Sequence, residues 1–248
     1  MTVHAVLVDP PRPGLVLPDL TDDLLSDAEA ADLYAAMARD AIAAAAASGG
    51  DLLVNYRPTD LLPEEYEGVD AEAGVRALAA DALPDLDDVR FEVQVGSTHA
   101  ARVGNTVTHL LRDEDAASVA AVDPRAPLLD HTTLDSAAMK LRRCDVVLGP
   151  SQRGRVHYAG FADTLDFADA YHPPEVDTLA ARAADAGLDT DFAPASPVVT
   201  DEAGLADLLP LLSARERAGR RVPTHTAAVV DDLGLHVTDD RTVTRHSD

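Results

Sequence analysis

Residues 119–161 read VAAVDPRAPLLDHTTLDSAAMKLRRCDVVLGPSQRGRVHYAGF. The apolar run Ser118–Val122 has the character of a buried strand and stops at Asp123-Pro124. Thr133–Arg143 carries helical spacing. Asp145–Leu148 and Val156–Phe161 are two further strand-like runs, joined by the polar loop Gly149–Arg155. Strands and helices alternating at this spacing are the mark of an α/β sheet, whose ligand sites lie in the loops beyond strand ends. The segment also reverses the charge of the chain. Residues 121–160 hold six basic side chains (Arg125, Lys140, Arg142, Arg143, Arg153, Arg155) against four acidic ones, in a protein of formal charge −24. Such an island is a place for an anion to dock.

The same alternation extends to both sides. His4–Val8 is a short apolar strand, followed by a Pro-rich loop, Asp9–Asp23. Ser26 and Glu29 have the spacing of a capping box, which predicts an Ala-rich helix to about Ala47, stopped by Ser48-Gly49-Gly50. Leu52–Tyr56 is the next strand, and a helix between two such strands implies parallel pairing with a right-handed crossover. A helix is predicted over Ala71–Ala82, a strand over Arg90–Val95, and a helix over His99–Leu111 weakened by Gly104. Val176–Ala186 and Glu202–Gly219 follow as helices. Thr226–Thr244 alternates on both sides of Asp232-Leu233-Gly234 and reads as a hairpin, with an edge strand to pair with the sheet or with a second subunit in a homo-oligomer. The expected architecture is one α/β domain, 1–222, with a mainly parallel sheet and a strand or hairpin extension, 223–248.

Composition narrows the class. The chain has 248 residues, 46% of them hydrophobic, enough for a sizeable core, but only 4% aromatic with no Trp, so that core must be Ala, Val and Leu. Of 44 acidic residues 34 are Asp, and Lys140 is the one Lys among 20 basic residues. An acid-rich, Lys-poor surface resembles that of proteins from salt-loving organisms, where a Debye length of about 3 Å at 1 M salt screens self-repulsion. It argues against nucleic-acid binding, which needs a basic face. No apolar run reaches the roughly 18 residues of a membrane span. The start lacks the basic segment of a secretion signal, and the lone Cys144 cannot form an internal disulfide. These features point to the cytoplasm.

The glycine fingerprints of dinucleotide and P-loop sites, the His-Glu-x-x-His zinc motif, paired Cys and the Gly-x-Ser-x-Gly elbow are all missing. Three loops remain as candidates. Asp123 at a strand end is where such folds hold Mg²⁺ against a phosphate, with Arg125 beside it to pair with that phosphate. The same Asp-Pro could equally start a loop through an Asx turn. Gly149, Pro150, Ser151, Gln152, Arg153, Gly154 and Arg155 offer donors and unusual backbone freedom, or form a plain hairpin loop. Arg12 is the basic residue of the first Pro-rich loop, which serves as a ligand loop or as a solvent loop stiffened by proline. Gly96-Ser97-Thr98 presents N–H groups to an anion or is an ordinary helix cap.

The order of these motifs resembles the small glycosyltransferase-A-like family of selenodomain-associated transferases and, more distantly, the archaeal 2-phospho-L-lactate guanylyltransferases. The likeness runs from about Val3 to Leu212. It is carried by Pro10-Pro11-Arg12-Pro13-Gly14 after the first strand, Ala31-Asp32-Leu33-Tyr34, Val122-Asp123-Pro124-Arg125 and, most specifically, Val147–Gly160. The resemblance implies a three-layer α/β/α nucleotide-diphospho-sugar transferase-like (GT-A) fold. It implies a nucleoside di- or triphosphate held by the first loop through Arg12, Mg²⁺ on Asp123, and an acceptor beside Gly149, Pro150, Ser151 and Gly154.

The chain departs from the family pattern at three places. The family's Lys-Thr-Arg-Leu becomes Leu15-Val16-Leu17-Pro18, its Asp-Gly-Gly becomes Arg153-Gly154-Arg155, and its late Asp-x-Asp becomes Pro197-Val198-Val199-Thr200, with Asp201 nearby. Arg125, Arg153 and Arg155 compensate part of the lost charge. The resemblance and the residues together leave three functions open: a Mg²⁺-dependent nucleotidyl- or glycosyl-transferase with a partly degenerate site, a non-catalytic relative that kept the fold for binding or assembly, or a small-molecule binder that uses the arginine island for an anion without metal, with binding insensitive to EDTA.

Overall fold

The computed structural model describes residues 1–21 and 24–246. Nine strands and seven α-helices follow in the order β1 (Thr2–Val8), α1 (Asp27–Ala46), β2 (Asp51–Tyr56), α2 (Ala71–Ala82), β3 (Arg90–Val93), α3 (His99–Arg112), β4 (Ser118–Val122), α4 (His131–Lys140), β5 (Val146–Pro150), β6 (Val156–Phe161), α5 (Glu175–Asp185), β7 (Thr190–Phe192), α6 (Glu202–Arg217), α7 (Thr224–Asp232), β8 (Leu235–Val237) and β9 (Val243–Arg245). Strands β1 to β7 form one sheet in the order β3-β2-β1-β4-β6-β5-β7. β6 runs antiparallel to both β4 and β5, and the other pairs are parallel.

Strand alternation splits the interior into two cores. Val6 and Val8 face α1, α2, α4 and α6, while Val3 and Ala5 face α3 and α5. This is the expected three-layer α/β/α arrangement. α1 begins with the capping box: the Ser26 hydroxyl accepts the Glu29 N–H, and the Glu29 carboxylate accepts the Ser26 N–H. Its alanines let α2, α4 and α7 pack around it, so most of the helix is buried. Gly104, expected to weaken α3, is where Phe167 lies against that helix; a Cβ there would come 2.6 Å from the Cβ of Phe167.

The tail departs from expectation. Thr226–Val230 alternates like a strand but lies in helix α7. The buried carboxylate of Asp40 on α1 accepts the N–H groups of His225 and Thr226 and the Thr226 hydroxyl, at 3.2, 2.8 and 2.7 Å. That tertiary cap satisfies the first turn and overrides local β preference. Only the second half of the expected hairpin pairs, β8 with β9, and the two form a sheet of their own rather than extending the main one. β7 escaped notice because Thr-Asp-Phe is short and its residues are largely exposed. Among the described residues no helix is long and apolar enough to cross a membrane.

Candidate active site

β1 and β4 are parallel neighbours whose crossovers leave in opposite directions along the sheet, which makes the crevice at their carboxyl ends the topological switch point. Each strand ends in Asp-Pro, Asp9-Pro10 and Asp123-Pro124. A cleft of about 580 Å³ opens there. Its walls come from the loop Leu15–Pro18, the amino end of α3 (Thr98, His99, Arg102), the start of β6, and the segment Asp169–Glu175.

The floor is built on Asp123. Its Oδ1 accepts the backbone N–H of Arg125 at 2.9 Å, which is an Asx turn. The Arg125 guanidinium then folds back on the same carboxylate, Nε to Oδ1 at 2.9 Å and Nη2 to Oδ2 at 2.7 Å. Burial pushes the Asp123 pKa up, but the charge and hydrogen bonds of Arg125 outweigh it and hold the carboxyl below its ordinary value. Burial opposes the Arg125 cation, and Asp123 more than offsets it. Asp9 lies by Arg57, 3.6 Å away, and its N–H donates to the Tyr34 hydroxyl at 2.8 Å.

Around this floor stand groups with depressed or raised acidity. His99 is open to the cleft but walled closely enough that desolvation brings its pKa to about 4. It meets Tyr171 edge to face, with ring centroids 4.8 Å apart. The Tyr171 hydroxyl is buried without a partner among the described residues, and burial raises its pKa. Burial also raises Glu175, whose carboxylate accepts the Val156 N–H at 3.0 Å. Burial lowers the pKa of His157 and outweighs the carbonyl of Pro194, which lies 3.0 Å from its Nε2 and favours the proton.

The expected site residues divide between the cleft and its flank. Asp123 and Arg125 lie in it. Arg12 does not line it; its guanidinium approaches α2 at Gly74, and apolar Leu15, Val16 and Leu17 form that wall instead. Gly149 and Pro150 end β5, where the His157 ring fills the space a Cβ on Gly149 would need. Ser151 and Gln152 turn to one another, and the Gln152 amide pairs with the backbone of Val198. Arg153, in the left-handed region at φ 56°, is bound to both oxygens of Asp201. Gly154 packs on Pro174, next to Glu175 at the cleft wall, and Arg155 follows it. Asp201 caps α6 through the Gly204 N–H. Sequence reasoning passed over Asp9, Arg102, Tyr171 and Glu175. The repeated strand-Asp-Pro, Val-Leu-Val-Asp-Pro and Ala-Ala-Val-Asp-Pro, was the signal for Asp9.

The carboxylate expected to hold Mg²⁺ is already engaged within the protein. Both Asp123 oxygens are engaged by Arg125, and among the described residues the one group of three spaced like metal ligands is elsewhere, Glu92, His109 and Glu114. There Arg90 pairs with both glutamates, so that group is an ion-pair network on the surface.

No protein-family model matches the chain, and no curated protein matches it. Solved structures do. A candidate nucleotide-diphospho-sugar transferase from Desulfovibrio desulfuricans G20 superposes with a TM-score of 0.75 at 19% identity, over 93% of this chain and 94% of its own. The fold is nucleotide-diphospho-sugar transferase-like. A nucleotidyl transferase from Methanothermobacter (TM-score 0.50, 16% identity, 88% and 99% covered) is similar more distantly. So is a cytidylyltransferase from Leptospira borgpetersenii (TM-score 0.50, 10% identity, 93% and 94% covered).

Proposed function

We propose that the cleft binds a nucleoside di- or triphosphate, and that the protein is a nucleotide-dependent transferase of the nucleotidyl or glycosyl type. The observation that carries this reading is the convergence of Arg102, Arg125 and the amino end of α3 on one cleft at the switch point of the sheet. Helix amino ends and guanidinium groups both favour phosphate oxygens. In transfer at phosphorus the protein's contribution is largely positioning and charge neutralisation, and these groups supply both. Leu15, Val16, Leu17 and Tyr34 give the opposite wall an apolar surface against which a nucleobase or sugar would pack.

That apolar wall also favours the second reading, a relative that kept the fold for binding or assembly, because it stands where phosphate-binding cations would be expected. Thermal unfolding in concentrated KCl against a panel of nucleotides separates the two. A ligand at about 100 times its Kd raises stability by about 2.7 kcal/mol, so a nucleotide site gives a clear upward shift with one base. No shift with any nucleotide, in Mg²⁺ or in EDTA, would sink the transferase reading.

A further inference from the structure

We propose that Asp123 is a positioning residue and not a metal ligand: it fixes Arg125 so that the free edge of the guanidinium binds the anionic group of the ligand without a divalent cation. This rests on the reading of the cleft as a site for a nucleoside phosphate. The usual arrangement has the carboxylate face the ligand through a dication. Here the order is reversed. The Asp123 side chain is 15% exposed and the Arg125 side chain 34%, so the cation stands in front and the carboxylate behind it.

The hydrogen-bond count agrees. Oδ1 already accepts two N–H groups and Oδ2 one, all from Arg125. An ion on the remaining lone pair of Oδ2 would face the guanidinium across a shared oxygen, and among the described residues Asp123 belongs to no group of three carboxylate, His or Cys ligands at metal spacing. A guanidinium has five N–H donors. Asp123 takes the Nε hydrogen and one from Nη2, and Nη1 has no partner among the described residues. Three donors in a fixed plane remain, the fork that suits a phosphate or carboxylate. Arg102 lines the same cleft, forms no ion pair among the described residues, and has a buried Nε without a partner. The carbonyl of Arg125 accepts the Val199 N–H at 2.9 Å, which ties the backbone of the clamp to the neighbouring loop.

The test is calorimetric titration of the full chain in concentrated KCl with inorganic pyrophosphate and with the four common nucleoside triphosphates, each in EDTA and in Mg²⁺. The expected result is a Kd for the tightest of these that is the same in both buffers. Arg125→Gln should weaken it by about tenfold or more in both, as loss of charged hydrogen bonds requires. Asp123→Asn, which keeps an acceptor for the Asx turn, should weaken it by less than Arg125→Gln and equally in both. Binding by the unsubstituted protein that appears only with Mg²⁺ would overturn the inference and leave the nucleotide reading standing; that comparison needs no variant to fold. No binding in either buffer would overturn both.

Discussion

Removing the Asp40 carboxylate should unfasten α7 from α1, and the cost can be worked from the geometry. Asp40 is 9% exposed and Thr226 fully buried. In Asp40→Ala the Thr226 N–H and hydroxyl lose their acceptor inside the protein, and the His225 N–H loses its own nearer the surface. Each buried donor left unpaired costs about 1–3 kcal/mol, whereas loss of an ordinary exposed cap costs about 1. Two buried orphans give about 4 kcal/mol, less whatever a water entering the space restores. At about 2–4 °C per kcal/mol for a chain of this size, Tm should fall by roughly 8–16 °C. Asp40→Asn keeps one acceptor oxygen and should lose about half as much. The assay is thermal unfolding at fixed salt, with hydrogen exchange of 224–246 to show whether the loss is local or global. A Tm for Asp40→Ala within a few degrees of the parent, with exchange unchanged, would refute the claim that this carboxylate makes the segment helical.

Two further outcomes concern pH. Burial brings His4 from 6.5 to about 4, with both ring nitrogens unpartnered among the described residues; the folded state resists a proton the unfolded chain accepts, so stability is full above pH 6.5 and falls by roughly 3 kcal/mol toward pH 4. His4→Leu should flatten that slope in chemical denaturation, and an identical slope would show that His4 is not responsible. Glu29 is held near 2 rather than 4.5, chiefly by its hydrogen bonds with Arg245. Its contribution is therefore present above pH 4.5 and lost as pH falls toward 2, a loss that Arg245→Ala should reduce but not abolish, because the Ser26 hydrogen bonds remain; equal acid sensitivity of the two proteins would count against the pair.

The layered fold could be read because its causes are local. Ser26 and Glu29 announce α1, the alanines that follow permit close packing, and Ser118–Val122 can only be a strand buried on both faces. The tail could not be read, because its cause lies 186 residues away in sequence, at Asp40. The Thr226–Val230 alternation carries no trace of that carboxylate. Long-range partners also explain Arg153, whose place is set by Asp201, and Arg12, which approaches α2 instead of the cleft.

Asp123 shows why a strand-end carboxylate has more than one chemical reading. Two roles were open for it, a metal ligand with Arg125 at hand for a phosphate, or the acceptor of an Asx turn. The geometry joins the turn to the arginine: the carboxylate that closes the turn also accepts the guanidinium of the residue it positions, two places on. Such a pair is nearly neutral seen from a distance, so it adds little to long-range attraction of an anion. In the proposed site its value is in preorganisation, since a guanidinium already fixed in plane would lose less side-chain freedom on binding a phosphate. A net charge of −24 repels an anion at long range, so short-range and directional contacts are the form of anion recognition it leaves open. The proposed role of the fixed Arg125 is of that kind.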